Sequence, residues 1–128
     1  MIEVKIPVSK TRLMHLLSEA FEGGSNYWYS IDKYIEPSDI DFSIDPNDKH
    51  VYKHLHYPLS EGGALVISDK EGDGLEEYVL DLPACIRGIQ VMADKYPKCF
   101  SDWLQERDDA TTGDVYLQCC LFGEIVYE

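Results

Sequence analysis

Residues 115–122, Val-Tyr-Leu-Gln-Cys-Cys-Leu-Phe, carry a single polar side chain, Gln118, across more than two turns of potential helix. A helix that is apolar all round has no face to offer to water and must lie inside a fold. Its start is marked by Thr111-x-x-Asp114, a capping-box pattern with Asp in place of the usual Glu. The rest of the chain therefore has to cover this segment, and burial against a sheet is the expected arrangement. The β-branched Ile125 and Val126, with Tyr127, could instead close the chain as a strand.

Three further helices are predicted. Ser9 is placed to cap a helix whose Leu13, Leu16, Leu17, Ala20 and Phe21 share a face, and Gly23-Gly24 ends it as a C-cap. Pro83 suits a helical first turn, with Cys85, Ile86, Ile89, Met92 and Ala93 at helical spacing up to Tyr96. Pro97 opens a short helix with Phe100, Trp103 and Leu104 inward. Leu13, Leu16, Leu17, Phe21, Ile86, Ile89, Trp103, Val115 and Phe122 form the expected core.

Elsewhere the period is two. Residues 2–8 alternate with Pro7 suggesting an edge strand, 26–31 are aromatic, and 39–45 alternate until Pro46 breaks the run. Residues 54–59 and 64–68 read as extended segments joined by the hairpin-like loop Ser60-Glu61-Gly62-Gly63, and Lys70–Gly74 as an exposed turn. No repeat, low-complexity tract or linker interrupts the chain. The expectation is one acidic α+β domain over residues 1–128, a small mixed or antiparallel sheet packed against about four helices.

Charge limits the partners. Eleven Lys and Arg against 24 Asp and Glu leave a net charge of −13 over 128 residues. Such a surface disfavours direct contact with nucleic-acid phosphates and accelerates association with a basic protein. With 45% apolar residues, the chain can fill a core and is no disordered acidic tail. The N-terminal residues lack the apolar stretch of a signal peptide and no run approaches a membrane span, so a cytoplasmic protein is expected. Cys85, Cys99, Cys119 and Cys120 have no CxxC spacing and read as small buried apolar residues; neither cofactor nor structural metal is expected.

The segments Glu22-Gly23-Gly24-Ser25-Asn26-Tyr27-Trp28, Tyr57–Gly63 and, most specifically, Asp109–Tyr127 resemble those of a family of small tailed-phage and prophage proteins with no assigned activity. The resemblance spans most of the chain. It implies a genetic setting and not a mechanism: a phage-encoded accessory protein in the host cytoplasm, a class that often acts on host machinery, including inhibitors of CRISPR complexes and restriction enzymes.

Several residue sets are candidate sites. Alternation puts Asp39, Asp41 and Asp45 on one face with Ser43 between the last two, successive same-face residues lying about 6.8 Å apart; Glu36 and Asp48 flank the row, and Glu71, Asp73, Glu76 and Glu77 could extend it. Such a row is compatible with mimicry of a nucleic-acid backbone, and equally with a solvated edge made unfriendly to aggregation. Asn26, Tyr27 and Trp28 after the paired glycines could bind a ligand, or, if exposed, form a self-interface in a homodimer. His50, His54 and His56 do not follow a metal-site spacing. Cys99 or Cys119 with a histidine, or Asp109 with Asp114, could be drawn as catalytic pairs, but nothing in their spacing selects them; Asp108, Asp109 and Asp114 read as loop and helix-start residues.

The reading this supports is a non-enzymatic acidic phage accessory protein that binds and blocks a basic host protein or nucleoprotein complex. The alternatives are a small enzyme or ligand-binding protein with its site around Gly23–Trp28, and a phage structural or assembly component.

Overall fold

A computed structural model describes residues 5–37, 55–71 and 76–128. The expected strand at 39–45, the start of the expected strand at 2–8, and residue 54 lie outside the described residues. The fold is α+β, with four helices and a three-stranded antiparallel sheet among the described residues.

The apolar C-terminal run forms helix α4 (Ala110–Phe122), and residues 112–120 are all buried. Its capping box sits two residues earlier than the pattern suggested. Asp109 is the N-cap and accepts from the Thr112 amide at 3.1 Å, while Thr112 Oγ1 accepts from the Asp109 amide at 3.2 Å. Asp114 thus lies more than a turn inside the helix. Three helices enclose α4: α1 (Lys10–Glu19), α2 (Leu82–Lys95) and α3 (Pro97–Leu104). Of the sheet, the strand Glu77–Leu80 reaches it, so the expected burial against a sheet is mainly burial against helices.

Ser9 caps α1 as expected, its side chain accepting from the Arg12 amide at 3.2 Å. Leu13, Leu16 and Leu17 enter the core. On α2 the inward face is Ala84, Cys85, Gly88 and Met92, whereas Ile86 is 57% exposed. This corrects the expected core. The helix carries two apolar stripes, and the one with small residues wins because it lets α2 approach α4 closely.

The sheet order is β1 (Tyr29–Ile35), β2 (Ala64–Asp69), β3 (Glu77–Leu80). Ile67 on the central strand lies opposite Ile31 and Tyr78, and Leu65 opposite Leu80, giving one core-directed face. Several sequence expectations change. Residues 5–8 form no strand, and the aromatic strand starts at Tyr29 because 25–28 are a turn. In place of an extended 54–59 there is a 3-10 turn at Tyr57–Leu59, where Pro58 fixes a helical φ. Strand β3 went unread, being four residues long beside a turn. The C-terminal Ile125–Tyr127 segment is not a strand either. It is held by buried Gln118, which accepts from the Val126 and Tyr127 amides at 2.7 and 2.8 Å and donates to the Tyr127 carbonyl at 2.9 Å. No helix among the described residues is long and apolar enough to cross a membrane.

Candidate functional site

Carboxylates gather around the β2–β3 connection and on the neighbouring strand β1. Asp32 sits at the irregularity in β1 between Ile31 and Lys33 and is exposed; Ser68 of β2 donates to its Oδ1 at 3.1 Å. Ser68 is opposite Glu77 of β3 and Ser30 of β1, so Asp32 and Glu77 lie on either side of the central strand, with Asp32 two residues further along its own strand. Glu76 precedes β3 and accepts from the Tyr78 hydroxyl at 2.7 Å, and Glu71 follows β2, its amide donating to Asp69 at 2.9 Å. Glu71, Glu76 and Glu77 of the expected partner-binding set therefore come together, all exposed. Glu36 is also exposed but lies beyond the other end of β1, apart from them. Asp39, Asp41, Asp45, Asp48 and Asp73 fall outside the described residues. Sequence spacing did not select Asp32, because the β1 segment was placed too early.

The Gly23–Trp28 loop has a different role from an open ligand loop. The last turn of α1 widens into a π-turn, Ala20–Gly24, closed by the Ser25 amide on the Ala20 carbonyl at 2.8 Å. A Cβ on Gly24 would overlap the Ala110 carbonyl oxygen, and one on Gly113 would lie 2.6 Å from the Ala20 nitrogen. Gly24 and Gly113 are thus required where this turn packs against α4. This contact sets three donors around Asp114. Ser25 Oγ and Trp28 Nε1 both donate to its Oδ1 at 2.7 Å, and the Tyr27 hydroxyl donates to Oδ2 at 2.9 Å. Burial and that carboxylate push the Tyr27 hydroxyl up to about 12.

Trp28 is fully buried, stacked on Tyr127 at 5.6 Å and tilted against Phe122 at 5.3 Å, so it offers no stacking face to a ligand. Tyr29 packs edge-on against Phe21 at 4.9 Å. The three aromatics accordingly present no continuous exposed strip for a self-interface; Tyr27 is 42% exposed, and exposed Asn26 uses its carbonyl to accept from Lys70 at 3.3 Å.

A third region is a polar cleft of about 400 Å³ between α1 and the α3–α4 loop, lined by Arg12, His15, Glu19, Trp103, Glu106 and Asp108 among others. The Arg12 guanidinium lies 4.3 Å from the Trp103 ring centre and donates to the Trp103 carbonyl. Glu19 Oε2 is buried where an ionised carboxylate finds no donor. Burial first, then hydrogen bonding with Asp108 and the charges of Asp108 and Asp109, push the Glu19 carboxyl up to about 8. The Glu19 carboxyl is therefore held mainly in its protonated form at neutral pH.

The cysteines are free thiols, with Cys85, Cys119 and Cys120 buried and Cys99 partly so. Burial raises Cys119 to about 12 and also raises Cys99 and Cys120, so these three are poor nucleophiles at neutral pH. Asp109 and Asp114 do not form an acid–base pair: one is a helix cap and the other the centre of the Ser25–Tyr27–Trp28 hydrogen bonds. His56 packs edge-on to Tyr57 at 4.8 Å, and His50 and His54 lie outside the described residues. Among the described residues no three His, Cys, Asp or Glu side chains assemble to hold a metal. Comparison with protein-family models, curated proteins and solved structures gives no match for this chain.

Proposed function

We propose that this protein is a non-enzymatic acidic binding protein that occupies a basic protein surface through the carboxylate-rich end of its sheet. The observation that carries this is the gathering of exposed Glu71, Glu76 and Glu77 around the β2–β3 connection, with exposed Asp32 on β1 across the central strand, in a chain of net charge −13. An anionic patch on a rigid sheet end steers a cationic partner and repels nucleic acid. The resemblance to phage and prophage proteins supplies the setting: a host basic protein or nucleoprotein complex, with anti-defence blockade of its nucleic-acid channel as the outcome. Host cytoplasm is the corresponding location.

The test replaces Glu71, Glu76 and Glu77 together by Gln, which keeps shape and removes three charges. A partner captured from host lysate at low salt and identified by mass spectrometry is then titrated with parent and variant at two ionic strengths. The variant should bind more weakly with a flatter salt dependence. Equal affinity and equal slope would refute the assignment.

A second reading, a small enzyme or ligand-binding protein, is favoured by one observation only: the Glu19 carboxyl that titrates near 8 beside Asp108 in the polar cleft. That reading moves the site away from the Gly23–Trp28 loop. It predicts a function lost on Glu19→Gln and little affected by salt.

A further inference from the structure

Helix α2 has two contrasting faces. One is turned into α4 through Ala84, Cys85, Gly88 and Met92. The other borders an apolar groove of about 780 Å³ whose lining includes Ile6, Val8, Leu82, Ile89 and Phe100. Ile86 projects over it 57% exposed, and Ile6 is 45% exposed. Exposed apolar surface of this kind marks a contact site, and the pattern along the helix says which partner fits.

At 3.6 residues per turn, Ile86, Gln90 and Ala93 form a stripe along this face. Arg87 and Asp94, seven residues apart and both exposed, recur along one flank of that stripe. A second α2, antiparallel about a two-fold axis near Gln90, brings complementary groups level with each other to within one residue's rise, about 1.5 Å. Ile86 meets Ala93 of the second copy, a large side chain against a small one. Gln90 meets its own equivalent. In antiparallel helix pairs like flanks face each other, so Arg87 meets Asp94 of the second copy, and the pairing repeats at the other end. A parallel alignment would set these charges against the apolar Leu82 and Ile89 flank.

Both charged groups are already positioned: Arg87 donates to the Cys120 carbonyl at 3.2 Å, and Asp94 accepts from Gln90 at 3.0 Å. Each retains further hydrogen-bonding capacity, since a guanidinium has five N–H donors and a carboxylate several lone pairs. We propose that the protein forms an isologous homodimer in which α2 packs antiparallel on α2 of a second copy across this groove.

Apolar burial supplies the attraction, and the two ion pairs fix orientation and register. Since each copy carries −13, long-range repulsion opposes association. Salt shortens its range to about 8 Å at physiological strength, so dimerisation strengthens with added salt. This is opposite in sign to capture of a basic partner, and the two readings stand or fall separately.

The experiment is sedimentation equilibrium of the full chain at physiological salt, up to about 1 mM protein. The parent should reach twice its 14.6 kDa mass. Ile86→Asp should stay monomeric. Arg87→Asp presents two carboxylates along the seam and Asp94→Arg two guanidinium groups, so each should weaken self-association at least about tenfold. Mixed in equal amounts, those two variants should form a heterodimer, because both contacts again join opposite charges. The mixing experiment remains decisive should Ile86→Asp disturb folding, which circular dichroism would reveal. A parent monomeric over the whole range, a dimer indifferent to Ile86→Asp in a folded variant, or single variants that fail to associate when mixed would each overturn the proposal.

Discussion

Removing the Asp114 carboxylate should expose how much of the fold hangs on one side chain. Ser25 and Trp28 are both fully buried and both donate to the same oxygen, whereas Tyr27, which donates to the other, is 42% exposed. In Asp114→Ala the Tyr27 hydroxyl can turn to water, but the Ser25 hydroxyl and Trp28 indole N–H lose their acceptor. Each such orphan costs about 1–3 kcal/mol, giving roughly 2–6 kcal/mol, reduced by no longer desolvating a carboxylate; about 3 kcal/mol is expected. Asp114→Asn is the informative contrast. It keeps an amide oxygen where both buried donors point and places its NH₂ toward a tyrosine hydroxyl that can rotate to accept. Only charge assistance is lost, about 1–2 kcal/mol over the two buried bonds. Urea denaturation followed by far-ultraviolet circular dichroism measures both, and a domain of this size has enough stability for either variant to remain folded in buffer. An alanine variant within about 0.5 kcal/mol of the parent, or an asparagine variant as damaging as alanine, would refute the reasoning.

Three more outcomes follow from the same geometry. Glu19 has a folded pKa of about 8 against an ordinary 4.5, so the folded state holds a proton that the unfolded chain releases; stability should fall as pH rises from 4.5 to about 8 and then level off. Glu19→Gln should remove that part of the decline, and denaturation midpoints compared across the window would show it; parallel profiles for parent and variant would contradict it. Leu17→Ala, at a fully buried position, should cost about 2–5 kcal/mol in urea denaturation, whereas Ile86→Ser on the exposed α2 face should change monomer stability by about 0.5 kcal/mol or less. Gln118→Leu should free the C-terminal segment, read as faster amide exchange at Val126 and Tyr127 and cleavage near the C-terminus, with about 1–3 kcal/mol lost.

The centre of the fold was legible because an all-round apolar helix has few physical solutions. Its cap was misplaced by two residues, since Thr111…Asp114 and Asp109…Thr112 both fit a capping pattern and only the backbone turn distinguishes them. Asp114 therefore looked like a helix-start residue. Its donors lie 86 to 89 residues away in sequence, a separation that spacing rules do not reach. On α2, periodicity identified the helix but could not choose between the Ile86 and the Ala84–Gly88 stripes. That choice belongs to close packing with α4, where small residues permit approach and Ile86 would not. The carboxylates proposed to bind a partner show the same division: Glu71, Glu76 and Glu77 are readable as acidic, but their placement relative to Asp32 depends on strand register.

The pairing of the first helix with the last has a consequence for how the chain is made. Leu13, Leu16 and Leu17 are covered by a helix that begins at Ala110, and Ser25 waits for a partner 89 residues downstream. At about 5–20 residues per second, that interval is roughly 4–18 s of translation. Throughout it, the apolar side of α1 emerges from the ribosome without its cover. A nascent chain stalled before Ala110 should therefore bind chaperones or aggregate, and the native contacts between α1 and α4 form only once the C-terminal helix has left the ribosome.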